Sequence, residues 1–289
     1  MFERRKFLVH KFMSSLNRNM RNQKKPPLAV FCQDEVSKSI FIEGQYEAAE
    51  LACVIDHVQP YIPQKSLFLD IGANLGNHTT ALAPFFDNVI AFEPNPRTAL
   101  LLRANSMLFD NVESRTYGLS DQEATVKTSY DDYNVGGASV YSGDNNKNKV
   151  IFELKRLDDE LTDDEMASVS LMKIDVEGHE LEVLKGATRT LKESSPLILF
   201  EINKSEVKQG RNKTKDFLEQ CGYSYFYYLK DNTPLVDLST RLAKFISSLS
   251  VLLFSRKLRG KLKPSLLDGK LKNQKYSLLV ASKTQLSET

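Results

Sequence analysis

Short apolar runs alternate with segments of helical periodicity through most of the chain. The runs 66–71, 88–92 and 169–174 are apolar at nearly every position, which is typical of parallel strands buried on both faces. Between such runs, apolar residues recur every three or four positions, as they do in an amphipathic helix. The alternation predicts an α/β fold with a mostly parallel sheet and helices on both faces.

The pattern predicts seven strands in this sheet, together with helices that connect them and two further β-type runs near the start. The strands are 66–71, 88–92, 112–118, 169–174, 196–202, 223–229 and 276–281. The helices are 46–58, 77–86, 96–107, 178–192 and 214–221, and the two early β-type runs are 28–32 and 39–43.

One segment interrupts the alternation between the third and fourth strands. It contains two β-like runs, 138–141 and 150–154, on either side of a turn-rich stretch at 142–148. Clusters of Ser, Gly, Asn and Asp of this kind mark turns. We therefore predict a β-hairpin insertion at this point.

Charge divides the chain into an acidic middle and two basic ends. Eight Lys and Arg and one acid lie in residues 1–25, ten and one lie in residues 241–275, and the remainder has 21 basic and 35 acidic residues. This distribution argues against nucleic acid as a partner and favours contact of the ends with an anionic surface such as a membrane. We predict a basic arm at 1–27 and one larger domain at 28–289 with its core at 65–230.

The segment 238–275 combines apolar residues at helical spacing with a basic tail. It is interpreted as a helix packed on the domain or against a second copy, with an interfacial helix at an anionic membrane as the alternative. The chain has no convincing export signal and no apolar stretch long enough to span a bilayer. Its three cysteines lie far apart and indicate a reducing compartment. We expect a cytoplasmic protein with peripheral contact at the inner face of a membrane.

A glycine-containing loop follows the first predicted strand and leads into a helix. It begins at Asp70 and carries Gly72, Asn74 and Gly76, in the place where doubly wound sheets bind nucleotide-like ligands. Gly72 permits a tight turn, and Gly76 permits close packing. Asn74 replaces the glycine that would let a pyrophosphate approach. The loop suits the charged amino acid end of S-adenosylmethionine better than a dinucleotide.

Other polar residues at strand ends are candidates for binding the rest of a nucleoside. Glu93 follows the second strand, 23 residues after Asp70, where an acid can accept hydrogen bonds from ribose hydroxyls. Ser120 and Asp121 follow the third strand and suit either the adenine edge or ordinary turn chemistry. His78, just after the loop, suits either a cofactor contact or a helix cap.

Three candidate catalytic residues follow the predicted fourth strand: Asp175, Glu177 and His179. Methylation of a hydroxyl requires a proton acceptor, and either a histidine or a tuned carboxylate provides one. Glu201, at the end of the fifth strand, is a candidate for holding acceptor hydroxyls. Binding of Mg²⁺ by Asp175 and Glu177 is an alternative, and we favour the metal-free mechanism.

The residues around this strand resemble the FkbM family of methyltransferases. The resemblance lies in Lys173–Glu180 and Leu184–Ala187, and also in Leu157–Asp159 and Leu199–Ile202. It covers roughly residues 65–205 and is weaker at both ends of that range. It implies a class I methyltransferase fold, S-adenosylmethionine as donor, and methylation of a hydroxyl on a sugar, glycan or small-molecule product. By position it implies cofactor contacts from the residues that match the family's loop and strand-end motifs, and a reaction centre at the fourth strand. These residues are Asp70, Gly72 and Glu93 for the cofactor, and Asp175 and Glu177 for the reaction.

The sequence therefore predicts an O-methyltransferase with a small-molecule or glycan acceptor. A nicotinamide-dependent oxidoreductase on a similar sheet, and a non-catalytic scaffold that keeps the fold, are the alternatives. The missing loop glycine at Asn74 and the acidic cluster at the fourth strand argue against the oxidoreductase.

Overall fold

The computed structural model describes residues 6–7, 9–15, 18, 26–32, 34–63, 66–130, 148–231 and 262–286. The chain divides into two compact units, the first formed by 1–48 and 63–196 and the second by 49–62 and 197–289. Most of the predicted basic arm and most of the segment 238–275 lie outside the described residues. Within the described part, no helix is long and apolar enough to cross a membrane.

Eleven strands are present in the described part of the chain. They are β1 Leu67–Ile71, β2 Asn88–Phe92, β3 Val112–Arg115, β4 Gly118–Leu119, β5 Ala124–Tyr130, β6 Asn148–Lys155, β7 Val169–Ile174, β8 Leu197–Ile202, β9 Tyr225–Asp231, β10 Leu262–Leu266 and β11 Tyr276–Ser282.

Residues 9–15 are helical, and the later helices are numbered from the segment that follows. They are α1 Glu35–Glu43, α2 Ala48–His57, α3 Asn77–Leu82, α4 Pro96–Ser106, α5 Leu157–Glu160, α6 Asp163–Ser168, α7 Glu180–Gly186, α8 Thr188–Glu193 and α9 Lys213–Gln220.

Four parallel strands form the sheet of the first unit in the order β3-β2-β1-β7. All five residues of β1 and all six of β7 are buried, as expected for strands covered on both faces. Ile71 at the end of β1 pairs with Phe92 on one side and Ile174 on the other. The residues that follow these three strands therefore leave the sheet at the same edge, which is the edge predicted to bind the ligand.

The inserted hairpin has a different first arm from the one predicted. Its second arm is β6, which overlaps the predicted run 150–154, but β6 pairs antiparallel with β5. The predicted arm 138–141 lies outside the described residues. The predicted third strand is also wrong in extent, because β3 ends at Arg115 and β4 turns away to pair with β6.

The second unit contains four strands in the order β10-β9-β11-β8. β11 runs antiparallel to both β8 and β9, and β10 runs antiparallel to β9. Together with β3, β2, β1 and β7, these make eight strands where seven were predicted. The other three, β4, β6 and β5, form a separate sheet. The extra strand, β10, lies at the edge of its sheet and contains Pro264, a residue that edge strands tolerate.

Two predicted elements near the start and one in the middle of the chain were wrong. The run 28–32 contains no strand, and 39–43 belongs to helix α1. Asp34 caps this helix by accepting the Ser37 N–H, and Gly44 ends it with φ of 77°, so its end signals override the β-branched residues within it. The predicted helix 178–192 is two helices, α7 and α8, which meet at Ala187.

Asp158 explains the start of helix α8. Its Oδ2 accepts the Arg189 N–H at 2.8 Å, and its Oδ1 accepts the Thr190 N–H at 3.0 Å and the Thr190 hydroxyl at 2.8 Å. A carboxylate on a neighbouring element thus satisfies two N–H groups that the helix itself leaves unpaired. The Leu-Asp-Asp sequence at 157–159 therefore has a structural role.

We expect Asp158→Ala to lower the free energy of unfolding by about 1–2 kcal/mol, as loss of a helix cap does. Asp159→Ala is the matched control, because this neighbouring acid is exposed and lies 3.8 Å from Arg156, a type of pair worth at most about 1 kcal/mol. Urea denaturation of both variants tests the assignment, and equal losses would contradict it.

Candidate active site

The loop after β1 folds over the end of β2. The N–H groups of Gly72 and Ala73 both donate to the Phe92 carbonyl at 3.0 Å. The Asn74 N–H donates to Glu93 Oε2 at 2.8 Å, and Asn74 has a positive φ of 54°, which Asn tolerates better than most residues. The structure therefore brings the predicted loop and the predicted ribose-binding acid together.

The same loop lies against the end of β7 with backbone in contact with backbone. A Cβ on Gly72, whose φ is +78°, would lie 1.9 Å from the carbonyl oxygen of Asp175, so no other residue fits here. The Asp175 N–H donates to the Ile71 carbonyl at 3.0 Å. The structure thus places Asp175 directly beside the loop.

Asp70 is completely buried beneath this loop. Its Oδ2 accepts the Thr79 hydroxyl at 2.6 Å, and its Oδ1 accepts no hydrogen bond within the described residues. Burial raises the pKa of Asp70. A buried acceptor atom of this kind favours a ligand that brings a donor.

Lys173, on β7, joins two of the predicted site residues. Its side chain is 4% exposed, and its Nζ donates to Asp175 Oδ2 at 3.1 Å and lies 3.8 Å from Asp70 Oδ1. Burial alone would lower the pKa of this ammonium, but Asp175, Asp70 and Glu47 raise it above the ordinary lysine value. Lys173 therefore remains protonated and holds the ends of β1 and β7 together electrostatically.

Glu93 is buried and holds both of its oxygens towards backbone donors. Oε1 accepts the Asn95 N–H at 2.9 Å, and Oε2 accepts the Asn74 N–H at 2.8 Å. Burial raises the pKa of Glu93 to about 6 in spite of these hydrogen bonds. The Thr98 side chain also donates to this carboxylate. Because each carboxylate oxygen has two lone pairs, the group can still accept a hydroxyl hydrogen bond from a ribose.

His179 lies with the residues predicted to bind adenine. Its Nε2 is 2.9 Å from the Ser120 hydroxyl, which also lies 3.2 Å from Asp121 Oδ1. Its Nδ1 is 3.8 Å from a carboxylate oxygen of Glu182, and burial lowers the pKa of His179. The structure therefore connects the candidate base His179 to Ser120. The catalytic role of His179 stays a prediction.

The remaining predicted catalytic and acceptor-binding residues are Glu177 and Glu201. Glu177 is exposed and has a φ of 53°, whereas Glu180, which the sequence analysis missed, accepts the N–H groups of Val176 and Gly178 at 3.3 and 3.1 Å. Glu201 belongs to the second unit, where its Oε1 lies 2.9 Å from Lys275 Nζ. Their roles in acceptor binding or proton transfer stay predictions.

Two residues near the loop have packing environments that the sequence left open. A Cβ on Gly76 would lie 3.0 Å from Leu102 of α4, so this glycine permits helix packing. His78 is buried, with its Nε2 3.4 Å from Glu47 Oε2. Burial and the charge of Lys173 lower the pKa of His78 to about 3, so its imidazole is neutral at physiological pH.

Comparison with known proteins decides the family. The family profile of the methyltransferase FkbM domain matches residues 70–225, more than half of the chain. The chain belongs to the FkbM methyltransferase family. The arrangement of β3-β2-β1-β7 in the first unit, and of β11 antiparallel between β8 and β9 in the second, is that of a class I methyltransferase.

The individual relatives match about half of this chain. The hexuronic acid methyltransferase AglP of Haloferax volcanii is 34% identical over 137 residues, which cover 46% of this chain and 54% of the relative. Methyltransferase 1 of Beauveria bassiana is 26% identical over 183 residues, covering 55% of this chain and 69% of the relative. The chain thus spans about half the length of the first relative.

Solved structures include an FkbM methyltransferase from Methylobacillus flagellatus. It is 16% identical, with a TM-score of 0.40, and the match covers 75% of this chain and 43% of that protein.

S-adenosylmethionine is the cofactor of this FkbM domain, and the site fits it. The buried Oδ1 of Asp70 suits an ammonium donor, the remaining acceptor capacity of Glu93 suits a ribose hydroxyl, and Gly72 leaves the loop without a side chain at its tightest point. Among the described residues, no group of three or more His, Cys, Asp or Glu side chains is arranged to hold a metal ion.

We expect Gly72→Ala to lower the free energy of unfolding by about 3 kcal/mol or more, because the new Cβ overlaps the Asp175 carbonyl. Gly269→Ala is the matched control: its φ is +82°, but nothing lies within 4 Å of the added atom. The control should lose about 1 kcal/mol from the left-handed backbone alone. Urea denaturation of the two variants separates the overlap from the backbone preference, and similar losses would refute the close contact.

We expect the affinity for S-adenosylhomocysteine to fall as the pH drops through about 6, where Glu93 takes up a proton and loses an acceptor site. A single proton limits the fall to about tenfold per pH unit. Isothermal titration calorimetry from pH 5 to 8 measures it. Glu93→Gln should bind weakly and reduce the pH dependence, and an undiminished dependence would assign it to another group.

Proposed function

We propose that the protein transfers the methyl group of S-adenosylmethionine to a hydroxyl oxygen of a sugar, glycan or related small molecule. The main support is the contact of the Gly72 loop with Asp175, since it sets a carboxylate next to the donor-binding loop. The Asp175 side chain is 39% exposed, so an acceptor can approach it from solvent.

The residues around Asp175 suit a proton acceptor. The donor supplies a methyl group on a positively charged sulfur, so the protein's task is to align the acceptor and remove its proton. Lys173 fixes the Asp175 carboxylate by donating to Oδ2 at 3.1 Å, and the carboxylate takes the hydroxyl proton. Glu177 and His179 are the other candidate bases, but His179 is hydrogen-bonded to Ser120 and Glu177 is exposed.

A sugar acceptor is supported by the relative from Haloferax volcanii, which is named a hexuronic acid methyltransferase. Sugars offer several hydroxyls, and one carboxylate that accepts a hydrogen bond can select among them by orientation. We propose that Glu201, near the end of β8, contributes to acceptor binding. Contact of the basic ends with a membrane would bring the enzyme to lipid-linked glycans.

The proposal is tested by incubating the purified protein with methyl-labelled S-adenosylmethionine and oligosaccharides that contain hexuronic acids, with neutral oligosaccharides in parallel. We expect label in a sugar, and mass spectrometry and NMR should locate the methyl group on oxygen. Label on nitrogen or carbon would overturn the proposed chemistry, and no binding of S-adenosylmethionine would overturn the enzyme class.

In the same assay we expect Asp175→Asn to lower kcat by about 100-fold or more, the usual contribution of a general base. Its affinity for S-adenosylhomocysteine should stay within about threefold of the unmodified protein. Asp159→Asn is the control, since this exposed acid lies on helix α5 and pairs with Arg156. Full activity of Asp175→Asn would assign the proton acceptor to another residue.

A further inference from the structure

A short segment that precedes the matched family domain is fixed to helix α3, which follows the glycine-containing loop. The Tyr46 N–H donates to Asn77 Oδ1 at 2.9 Å, and Asn77 Nδ2 donates to the Tyr46 carbonyl at 3.0 Å. Asn77 is buried and is the first residue of α3. This pair of hydrogen bonds sets the residue that follows, Glu47, beside the donor site, although the family match begins only at residue 70.

Glu47 is held in an unusual conformation with its carboxylate turned towards the site. Its φ is 49°, a left-handed value that most residues avoid and that is found where structure around a residue enforces it. Its side chain is 22% exposed, and Oε2 lies 3.4 Å from His78 Nε2. The carboxylate also acts electrostatically on the ammonium of Lys173.

The ionisable side chains around Glu47 include more acids than bases. Asp70, Asp175 and Glu47 all act on the single ammonium of Lys173. His78 contributes no positive charge at physiological pH, because its pKa is lowered to about 3. One acceptor atom of this group, Oδ1 of Asp70, is fully buried and accepts no hydrogen bond within the described residues. The site therefore favours a ligand that brings positive charge and a hydrogen-bond donor.

We propose that Glu47 is a residue of the methyl-donor site, and that its charge makes this site bind S-adenosylmethionine more tightly than S-adenosylhomocysteine. The inference rests on the proposed function. The two molecules share the ammonium, carboxylate, ribose and adenine groups. They differ in the methyl group and in the positive charge of the sulfur, so a nearby carboxylate in a partly buried site acts on that difference. Such a site releases the spent product more easily than it releases the donor.

Calorimetric titration of the full chain with each of the two molecules tests the proposal. For Glu47→Gln we expect the Kd for S-adenosylmethionine to rise about five- to tenfold, as loss of one charge in a site of intermediate dielectric implies. The Kd for S-adenosylhomocysteine should rise less than about twofold. The ratio of the two constants is the readout, because a loosened structure would weaken both. Glu47→Asp, which keeps the charge, should restore most of the ratio.

Glu50→Gln is the matched control, since it removes the same charge three residues later, in the first turn of α2. It should leave both constants unchanged. A ratio that is unaltered in Glu47→Gln, or altered as much in Glu50→Gln, would overturn the inference while leaving the proposed function intact. Failure of the unmodified protein to bind either molecule would instead overturn the proposed function.

A measurement on the unmodified protein covers the case in which Glu47→Gln does not fold. An analogue of the donor with an ammonium in place of the sulfonium keeps the charge without the reactive methyl. We expect it to bind more tightly than S-adenosylhomocysteine. Equal or weaker binding would overturn the proposal.

Discussion

The site depends on one contact between two backbones, that of Gly72 with the carbonyl of Asp175. Since a Cβ at position 72 would lie 1.9 Å from that oxygen, the loop after β1 can reach the end of β7 only because it has no side chain there. The contact sets the loop proposed to bind the donor and the candidate base at a fixed separation. Since methyl transfer requires alignment of donor and acceptor, a fixed separation at the strand ends is the contribution a rigid sheet can make.

The positive charge of Lys173 stabilises this arrangement. Two strand ends that each carry an aspartate would repel one another in a buried environment. The ammonium between them, 3.1 Å from Asp175 Oδ2 and 3.8 Å from Asp70 Oδ1, offsets that repulsion, but it does not satisfy Oδ1 of Asp70 by a hydrogen bond. Burial also raises the pKa of Glu93. The buried acids of the site are therefore better suited to a bound ligand than to the protein alone. Such a loss of stability is common where function requires it.

The sequence predicted the parts of this site that local patterns encode. β1, β2 and β7 were found because their apolar runs are continuous, and Glu93 was found from its distance to Asp70 in the chain. Lys173 was missed as a site residue although it is a charge within an apolar run, which signals a buried ion pair. The pairing of Ser120 with His179 spans 59 residues, and no local pattern records it.

The errors in the fold predicted from the sequence also have local causes. Ile40, Phe41 and Ile42 are typical of a strand, but the capping residues at both ends of α1 decide in favour of a helix. β10 was overlooked because its lysine and proline hide the alternation of a short edge strand. The strand is stabilised by pairing with β9 rather than by its own propensity.

The motif from Asp175 to Glu180 is best understood as a turn whose side chains diverge. Asp175 faces Lys173 and the loop after β1, His179 faces Ser120, and Glu180 holds the N–H groups of the turn itself. A Cβ on Gly186 would meet the Ser120 carbonyl at 2.0 Å, so the helix after the turn is also tied to Ser120. Proximity of three ionisable residues in sequence therefore does not make them one catalytic group. The turn joins the place proposed for the reaction to the place proposed for adenine, so its three side chains act at different points of the site even though only one of them accepts the proton.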